Sequence, residues 1–374
     1  MRASRREQHG DADEERVPAA VVRAVEFYSG IGGLHYALLE ALGKEGAEVV
    51  AAYDMNLVAN KIYAHNLGLL PKTRNLESVT AKELDKYKAD LFLLSPPCQP
   101  YTRQGCQRGS EDPRARSFLH LIGLLPRLAS PPDYLLVENV VGFEASTTRT
   151  VLVEQLTACG YDHQEFHLSP THFGIPNQRL RYFLVARRKE KSFPEVPPFA
   201  AFAEQAEEEE EEKSKEQEEI SGEETAVLRP PRELSTCGRI EDYMQQDIEG
   251  EEKYEAFKIP DELVLRKGML FDIVTRESKR SCCFTKAYAR FVEGTGSVIQ
   301  LADPSMHGIA GDPSSLLHLK LRYFTPREVA NLHGFPREGF EFPEGVTLRQ
   351  QYQVLGNSLN IRVVAELLRY LLSS

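Results

Sequence analysis

The run Ser95-Pro96-Pro97-Cys98-Gln99-Pro100 holds a cysteine placed to do chemistry. It directly follows an apolar, strand-like stretch, Ala89 to Leu94. Prolines remove backbone freedom, so a thiol held among them keeps a nearly fixed position. A structural loop with an incidental cysteine is the bland alternative. Three further segments at consistent spacings weigh against it. The first, Glu138-Asn139-Val140, lies forty residues beyond Cys98, one helix and one strand later. In a parallel sheet that spacing puts the carboxyl on the adjacent strand end, facing the same crevice. A cysteine and a carboxyl without a catalytic histidine do not make a cysteine hydrolase. They suit addition to a pyrimidine. The thiolate adds to carbon 6 while the carboxyl hydrogen-bonds the ring nitrogen and amino group, and carbon 5 becomes nucleophilic. For Glu138 alone, a salt-bridged core acid is the competing reading.

The second segment is a glycine turn, Ser29-Gly30-Ile31-Gly32-Gly33, with Asp54 about twenty residues later at the next strand end. It reads G-x-G-G rather than G-x-G-x-x-G. Glycines let a cofactor approach the backbone closely, and the aspartate can accept both ribose hydroxyls. The glycine that would face a pyrophosphate is missing at its usual spacing. A nucleoside cofactor without pyrophosphate fits better, and S-adenosylmethionine is the obvious one. Leu76 and Glu77 would then flank the adenine. The third segment, Gln178-Arg179-Leu180-Arg181, sets two guanidiniums on one face of an extended chain. Arginine forks suit phosphate and base edges. A pair of surface arginines is the alternative.

These groups need elements to position them. Val22 to Tyr28 reads as a strand, Leu34 to Leu42 as a helix, Glu48 to Tyr53 as a strand and Asn56 to Asn66 as a helix. After the strand before Cys98, Ser117 to Leu128 reads as an apolar-faced helix. Asp133 to Val137 is a strand ending at Glu138. Thr148 to Cys159 is a helix, and Leu180 to Ala186 a late strand. Strands alternating with helices imply a parallel, doubly wound sheet with its ligand site at the strand C-terminal ends. The glycine turn, Asp54, Cys98 and Glu138 all fall at such ends. Beyond Lys191 the pattern dissolves. It resumes near Arg229 without β/α alternation, as a second, smaller domain. Thr325-Pro326-Arg327-Glu328 is a capping box with proline at the first helical position. The chain closes on an amphipathic helix, Leu359 to Leu372, after Gly356-Asn357-Ser358.

A length of 374 residues and 41% hydrophobic content allow one large domain plus a smaller one, with a real core. No apolar run reaches the ~20 residues of a membrane helix. Met1 to Pro18 is polar, with no signal-peptide stretch, and reads as a disordered arm. Six cysteines without paired spacing indicate neither a zinc site nor a disulfide framework. They suit a reducing compartment, cytoplasm or nucleus. The net charge of −11 is concentrated: Glu204 to Glu224 holds twelve glutamates and two lysines, leaving the rest nearly neutral. Such a run is solvated and serves as a spacer, so the overall sign does not exclude nucleic acid.

Taken together and in this order, Phe27 to Gly33, Asp54, the Ser95–Pro100 run, Glu138 to Val140, Gln178 to Arg181 and Gly356 to Ser358 resemble the motifs of cytosine-5 methyltransferases. The resemblance is strongest over 22–190 and 320–374. Cys283-Phe284-Thr285-Lys286-Ala287-Tyr288 resembles the C-F-T signature of the small eukaryotic branch that methylates aspartate tRNA, once classed with the DNA enzymes. Ser117-Phe118-Leu119-His120 and Leu168-Ser169-Pro170-Thr171 point the same way. The resemblance implies an α/β fold: a Rossmann-like class I S-adenosylmethionine-dependent methyltransferase sheet with a second, smaller target-recognition domain. The domains would be a disordered arm (1–21), a catalytic domain (22–190), an acidic insertion (191–228), a recognition domain (229–350) and a returning C-terminal helix (351–374). Cys98 would be the nucleophile and Glu138 its partner carboxylate. Arg179 and Arg181 would contact substrate. Ile31, Gly32, Gly33, Asp54, Leu76, Glu77, Ser95 and Ser358 would line the S-adenosylmethionine pocket, with no metal required. Substrate contacts are expected from Cys283, Phe284, Thr285, Lys286 and Tyr288, with Lys286 on phosphate and Tyr288 stacked on a base. Cys283 and Phe284, taken singly, read more simply as core. The expected partner is tRNA, with cytosine 38 of the aspartate tRNA anticodon loop as target, weak DNA binding as a further possibility, no membrane association and a monomeric chain. DNA as the substrate is the first rival, and a catalytically silent nucleic-acid binder the second. Tyr101, where phenylalanine is common in the family, is a mild departure.

Overall fold

The computed structural model describes residues 21–97, 115–194, 237–245 and 251–373, with backbone alone for 251–253. The expectations for the N-terminal arm, for Cys98 and for the acidic run 204–224 fall outside these residues.

A six-stranded sheet carries the site. Its strands are β1 (Val22–Phe27), β2 (Ala47–Tyr53), β3 (Leu91–Leu94), β4 (Tyr134–Val140), β5 (Tyr161–Leu168) and β6 (Arg181–Arg188). Their spatial order is β2-β1-β3-β4-β6-β5. The first four are parallel, and β1 and β3 lie side by side where the winding direction switches. The wholly parallel sheet expected from alternation is corrected here. Strand β6 runs antiparallel to both β4 and β5. A parallel return needs a crossover, usually a helix. Between β5 and β6 the chain makes only a 3₁₀ turn, Pro170–Phe173, so β6 folds straight back and inserts between β4 and β5.

Helices α1 (Gly33–Leu42), α2 (Leu57–Leu67), α3 (Ala81–Asp85), α4 (Arg116–Leu124) and α5 (Thr147–Ala158) follow the first strands in turn. The period-2 alternation of strand side chains divides the core in two. Ala24, Leu93, Leu136 and Val185 pack on one side with Leu34, Ala37 and Ile62 of α1 and α2. Val25, Phe92, Val137 and Leu184 pack on the other with Phe118, Ile122 and Leu152 of α4 and α5. Leu91 to Leu94 of β3 are all buried, as a strand covered on both faces must be.

Further along come α6 (Glu251–Phe257), α7 (Asp261–Lys267) and a three-stranded sheet of β7 (Ile273–Val274), β8 (Val298–Gln300) and β9 (Leu321–Tyr323). Its small core contains Val264, Val298, Leu316 and Leu321. Helix α8 (Pro326–Leu332) begins with the expected capping box. Glu328 N donates to Thr325 Oγ1 at 3.1 Å, and Thr325 N to Glu328 Oε2 at 2.9 Å. The same Glu328 accepts two 2.8 Å bonds from the fully buried Arg322. Helices α9 (Leu348–Gly356) and α10 (Ile361–Leu372) end the described chain, and α10 packs along α1. The main core also draws in residues around 335–340. Tyr36 of α1 meets Phe335 and Phe340 edge-on, at centroid distances of 5.6 and 6.0 Å.

Candidate active site

The glycine turn begins with a strained residue. Tyr28 sits at φ 59°, a region bulky side chains rarely adopt. Its carbonyl accepts from Ser95 Oγ at 2.9 Å, so the loop that enters Cys98 is tied to the turn. Gly30 (φ 53°) donates its N–H to Asp54 Oδ2 at 2.8 Å, while Asn56 N donates to Asp54 Oδ1 at 2.7 Å. Burial raises the Asp54 pKa and these amides oppose the rise. Each carboxylate oxygen still has a lone pair for a hydroxyl donor. A Cβ on Gly30 would meet nothing within 4 Å, so space lies open beside Asp54. Ile31 is 1% exposed and packs in the core, so only its backbone can face a ligand. Gly33 lies against Ser358, whose Oγ would be 3.1 Å from a Cβ there. Residues 325 apart in the chain thus meet at the start of α1. Leu76 is buried and Glu77 is exposed beyond it.

On the neighbouring strands a second cluster forms. Glu138 lies within β4 rather than at its end, paired with Phe183 of β6. Arg181 Nε is 3.7 Å from Glu138 Oε1. Burial pushes the Glu138 carboxyl up, and Arg181 and Arg179 pull against it. Arg179 is 4% exposed and acts as a clamp. Its guanidinium donates to Phe284 O at 3.1 Å, Cys283 Sγ at 3.2 Å, Gly356 O at 3.1 Å and Ser358 O. Only its Nε lacks a partner among the described residues. Arg181 also reaches Cys283 Sγ, at 3.7 Å. Burial disfavours the Cys283 thiolate, but the two guanidiniums outweigh it and lower the thiol pKa.

The segment 283–288 corrects two expectations. Tyr288 is 4% exposed; its hydroxyl donates to Ser297 O at 2.6 Å and accepts from Phe324 N at 2.9 Å. Its ring packs on Phe284, Tyr323 and Tyr352, so it is not free to stack on a base. Phe284, 1% exposed, is core as well. Thr285 is held by its N–H to Thr295 O at 2.9 Å, and Lys286 is the exposed cation of the segment.

Three supporting residues carry no assignment from sequence alone. Asn139 Nδ2 donates to Pro96 O at 3.4 Å, linking β4 to the loop that leads into Cys98. Asn177 Nδ2 donates to Ser281 Oγ and Cys282 O, both at 3.1 Å, fastening the arginine segment to 281–283. Gly356 touches backbone: a Cβ there would lie 2.1 Å from Lys286 N and 2.2 Å from Thr285 C. Asn139 and Gly356 stand inside motif triplets, which was the available signal. Nothing in the sequence singles out Asn177.

A profile of the C-5 cytosine-specific DNA methylases matches residues 22–373, nearly the whole chain. The chain belongs to this family. A tRNA (cytosine(38)-C(5))-methyltransferase of Bos taurus is 43% identical, covering 94% of this chain and 99% of its own. One from Schizosaccharomyces pombe is 38% identical, covering 94% and 97%. A DNA (cytosine-5)-methyltransferase of Dictyostelium discoideum is 41% identical, covering 94% of each chain. Among solved structures, the Dnmt2 methyltransferase of S. pombe superposes with a TM-score of 0.75 at 36% identity, covering 94% of this chain and 98% of that one. The Entamoeba histolytica methyltransferase EhMeth gives 0.77 at 34%, with the same coverage.

Methyltransferases of this family take their methyl group from S-adenosylmethionine, and the first cluster fits that molecule. Asp54 offers carboxylate acceptors for a ribose. The start of α1 carries no side-chain cap, so its N–H groups suit a carboxylate. Ser29 Oγ, in the turn that precedes α1, is buried without a hydrogen-bond partner among the described residues. Leu76 is buried in the same core cluster as Phe27 and Tyr53, the residues that lead into the turn and Asp54. No acidic or thiol cluster that could hold a metal is present among the described residues.

Proposed function

We propose that this enzyme methylates carbon 5 of cytosine in tRNA, with cytosine 38 of the aspartate tRNA anticodon loop as the target. The observation that carries the reading is near-full-length similarity to relatives named as methylating carbon 5 of cytosine 38 in tRNA, 43% identical in Bos taurus and 38% in Schizosaccharomyces pombe; the aspartate tRNA follows from the C-F-T resemblance of 283–288. Loop bases are already partly unstacked, so extruding one costs less than in a duplex.

The chain's residues divide the work. Cys98 adds as thiolate to carbon 6, forming a carbon–sulfur bond. Glu138, whose acid form burial favours, donates to the ring nitrogen and stabilises the charge that builds there. Arg181 holds that carboxyl, and Arg179 holds the walls around it. When bound, S-adenosylmethionine supplies an electrophilic methyl group to carbon 5. A solvent water then takes the carbon-5 proton, the carbon–sulfur bond breaks to release the Cys98 thiolate, and the ring nitrogen returns its proton to Glu138 as the aromatic ring is restored. The proposed site of action is the cytoplasm, with the nucleus as a second site, the reducing compartments that six cysteines without paired spacing suit.

Duplex DNA is the second reading, favoured by the name of the Dictyostelium relative. Initial rates decide between them, measured with labelled cofactor on an anticodon stem-loop and on a duplex DNA of equal length. The stem-loop should be methylated faster, and Cys98→Ala should abolish both signals. Equal or faster methylation of the duplex overturns the tRNA assignment. Turnover retained by Cys98→Ala overturns the covalent step.

A further inference from the structure

Beneath the glycine turn lies a buried polar chain that the methyl-transfer chemistry does not use. Glu26 of β1 and Tyr63 of α2 are both 0% exposed, and His35 of α1 is 9% exposed. The Tyr63 hydroxyl lies 2.7 Å from Glu26 Oε2 and 2.7 Å from His35 Nδ1. A phenol has one proton, so when Tyr63 donates to a Glu26 carboxylate it accepts from His35 Nδ1, and when a protonated Glu26 donates to Tyr63 the phenol is free to donate to His35. Glu26 Oε1 makes no hydrogen bond of normal geometry among the described residues. The Leu34 and His35 amides, in the first turn of α1, act on the same carboxyl. Tyr63 is also the floor of the turn: a Cβ on Gly32 would lie 3.2 Å from its ring. Three elements therefore meet at one phenol directly below Gly32 and the uncapped start of α1.

We propose that Glu26, Tyr63 and His35 form a positioning network that holds the glycine turn and the first turn of α1 in the shape S-adenosylmethionine requires, setting cofactor affinity rather than the rate of methyl transfer. Burying three polar groups under a turn is costly unless they are paired. Here the pairing spans β1, α1 and α2, so the turn cannot shift without breaking it. The groups facing Glu26 are Tyr63 from α2, His35 from α1 and, through space, Asp54 at the end of β2. Burial pushes Glu26 up to about 8 and His35 down to about 4, so both are neutral at pH 7. Above pH 8 an ionised Glu26 places a second buried negative charge near Asp54. The turn accommodates that charge only by opening to water.

The test is direct binding of S-adenosylhomocysteine to the full chain by calorimetry, which does not involve the nucleophile. Tyr63→Phe should raise Kd about tenfold, the cost of leaving buried partners unpaired. Its kcat at saturating cofactor should stay within about twofold. Glu26→Gln keeps a neutral side chain of the same shape, so its Kd at pH 7 should match wild type. From pH 7 to 9.5 the wild-type Kd should climb about tenfold relative to that of Glu26→Gln, each titrated with the same ligand. An unchanged Kd in Tyr63→Phe, or identical pH profiles for wild type and Glu26→Gln, overturns the proposal. If Tyr63→Phe does not fold, the comparison of pH profiles still decides.

Discussion

Glu138 is the residue at which burial and charge compete most directly. It is enclosed within β4, and burial alone would keep it protonated. Arg181 and Arg179 moderate that effect without cancelling it, so its carboxyl stays raised. The acid form therefore persists to higher pH than in a free glutamate, and turnover that depends on it should fall as pH rises through the raised pKa. Glu138→Gln keeps the shape and removes the acid. It should lower kcat by about 10²–10⁴, the range for loss of a positioned acid or base, while tRNA affinity changes little. Single-turnover rates and a binding isotherm on the same variant separate the two effects. A pure loss of affinity would reassign Glu138 to orientation of the substrate.

At the scale of elements, the decisive contact is that of α9 with the segment carrying Cys283 and Lys286. Gly356 closes α9, and helix propensity alone favours alanine there by about 1 kcal/mol. Sterics point the other way. A Cβ at 356 falls 2.1 Å from Lys286 N, a backbone atom that cannot swing aside. Overpacking of that kind costs about 1–3 kcal/mol, so the clash wins. It also moves Gly356 O and Ser358 O, two of the carbonyls Arg179 holds. Gly356→Ala should lower the denaturation midpoint and reduce kcat together. A variant more stable than wild type would show that propensity governs the site.

For the whole molecule, the charge distribution matters more than the total. Deleting Glu204 to Glu224 removes a net −10 from a chain of net −11. Affinity for tRNA should rise at low salt, and the gain should fade as ionic strength shortens the screening length to about 8–10 Å. A salt titration of binding for both forms reads this out; a gain that persists at high salt would mean that direct contacts, not long-range repulsion, are responsible.

Much of the fold follows from local pattern in this chain. Most of the early strands and helices appear within one to three residues of where alternation and glycine placement put them, but α4 stops at Leu124 rather than Leu128 and the pattern marks neither α3 nor β5; the capping box at Thr325 forms as its spacing requires. Of the site, the glycine turn and Asp54 meet as their spacing suggests, whereas Glu138 lies inside β4 rather than at its end and Cys98 falls outside the described residues. Two kinds of fact were not legible. Strand direction is a long-range property: Arg181 to Arg188 looks like any buried strand, and only its pairing with β4 and β5 shows that it runs backwards. The roles of Tyr288 and Arg179 are the other case. An aromatic and an arginine in a motif suggest stacking and substrate contact. Tertiary packing instead encloses the tyrosine in a cluster of rings and uses most of the arginine's donors on Phe284, Gly356 and Ser358. Sequence determined which groups were available for chemistry, since side-chain identity and local spacing decide that. Tertiary structure decided which of them face the crevice and which hold it together, because the burial and hydrogen-bond partners of Tyr288 and Arg179 include residues from tens to nearly two hundred positions away.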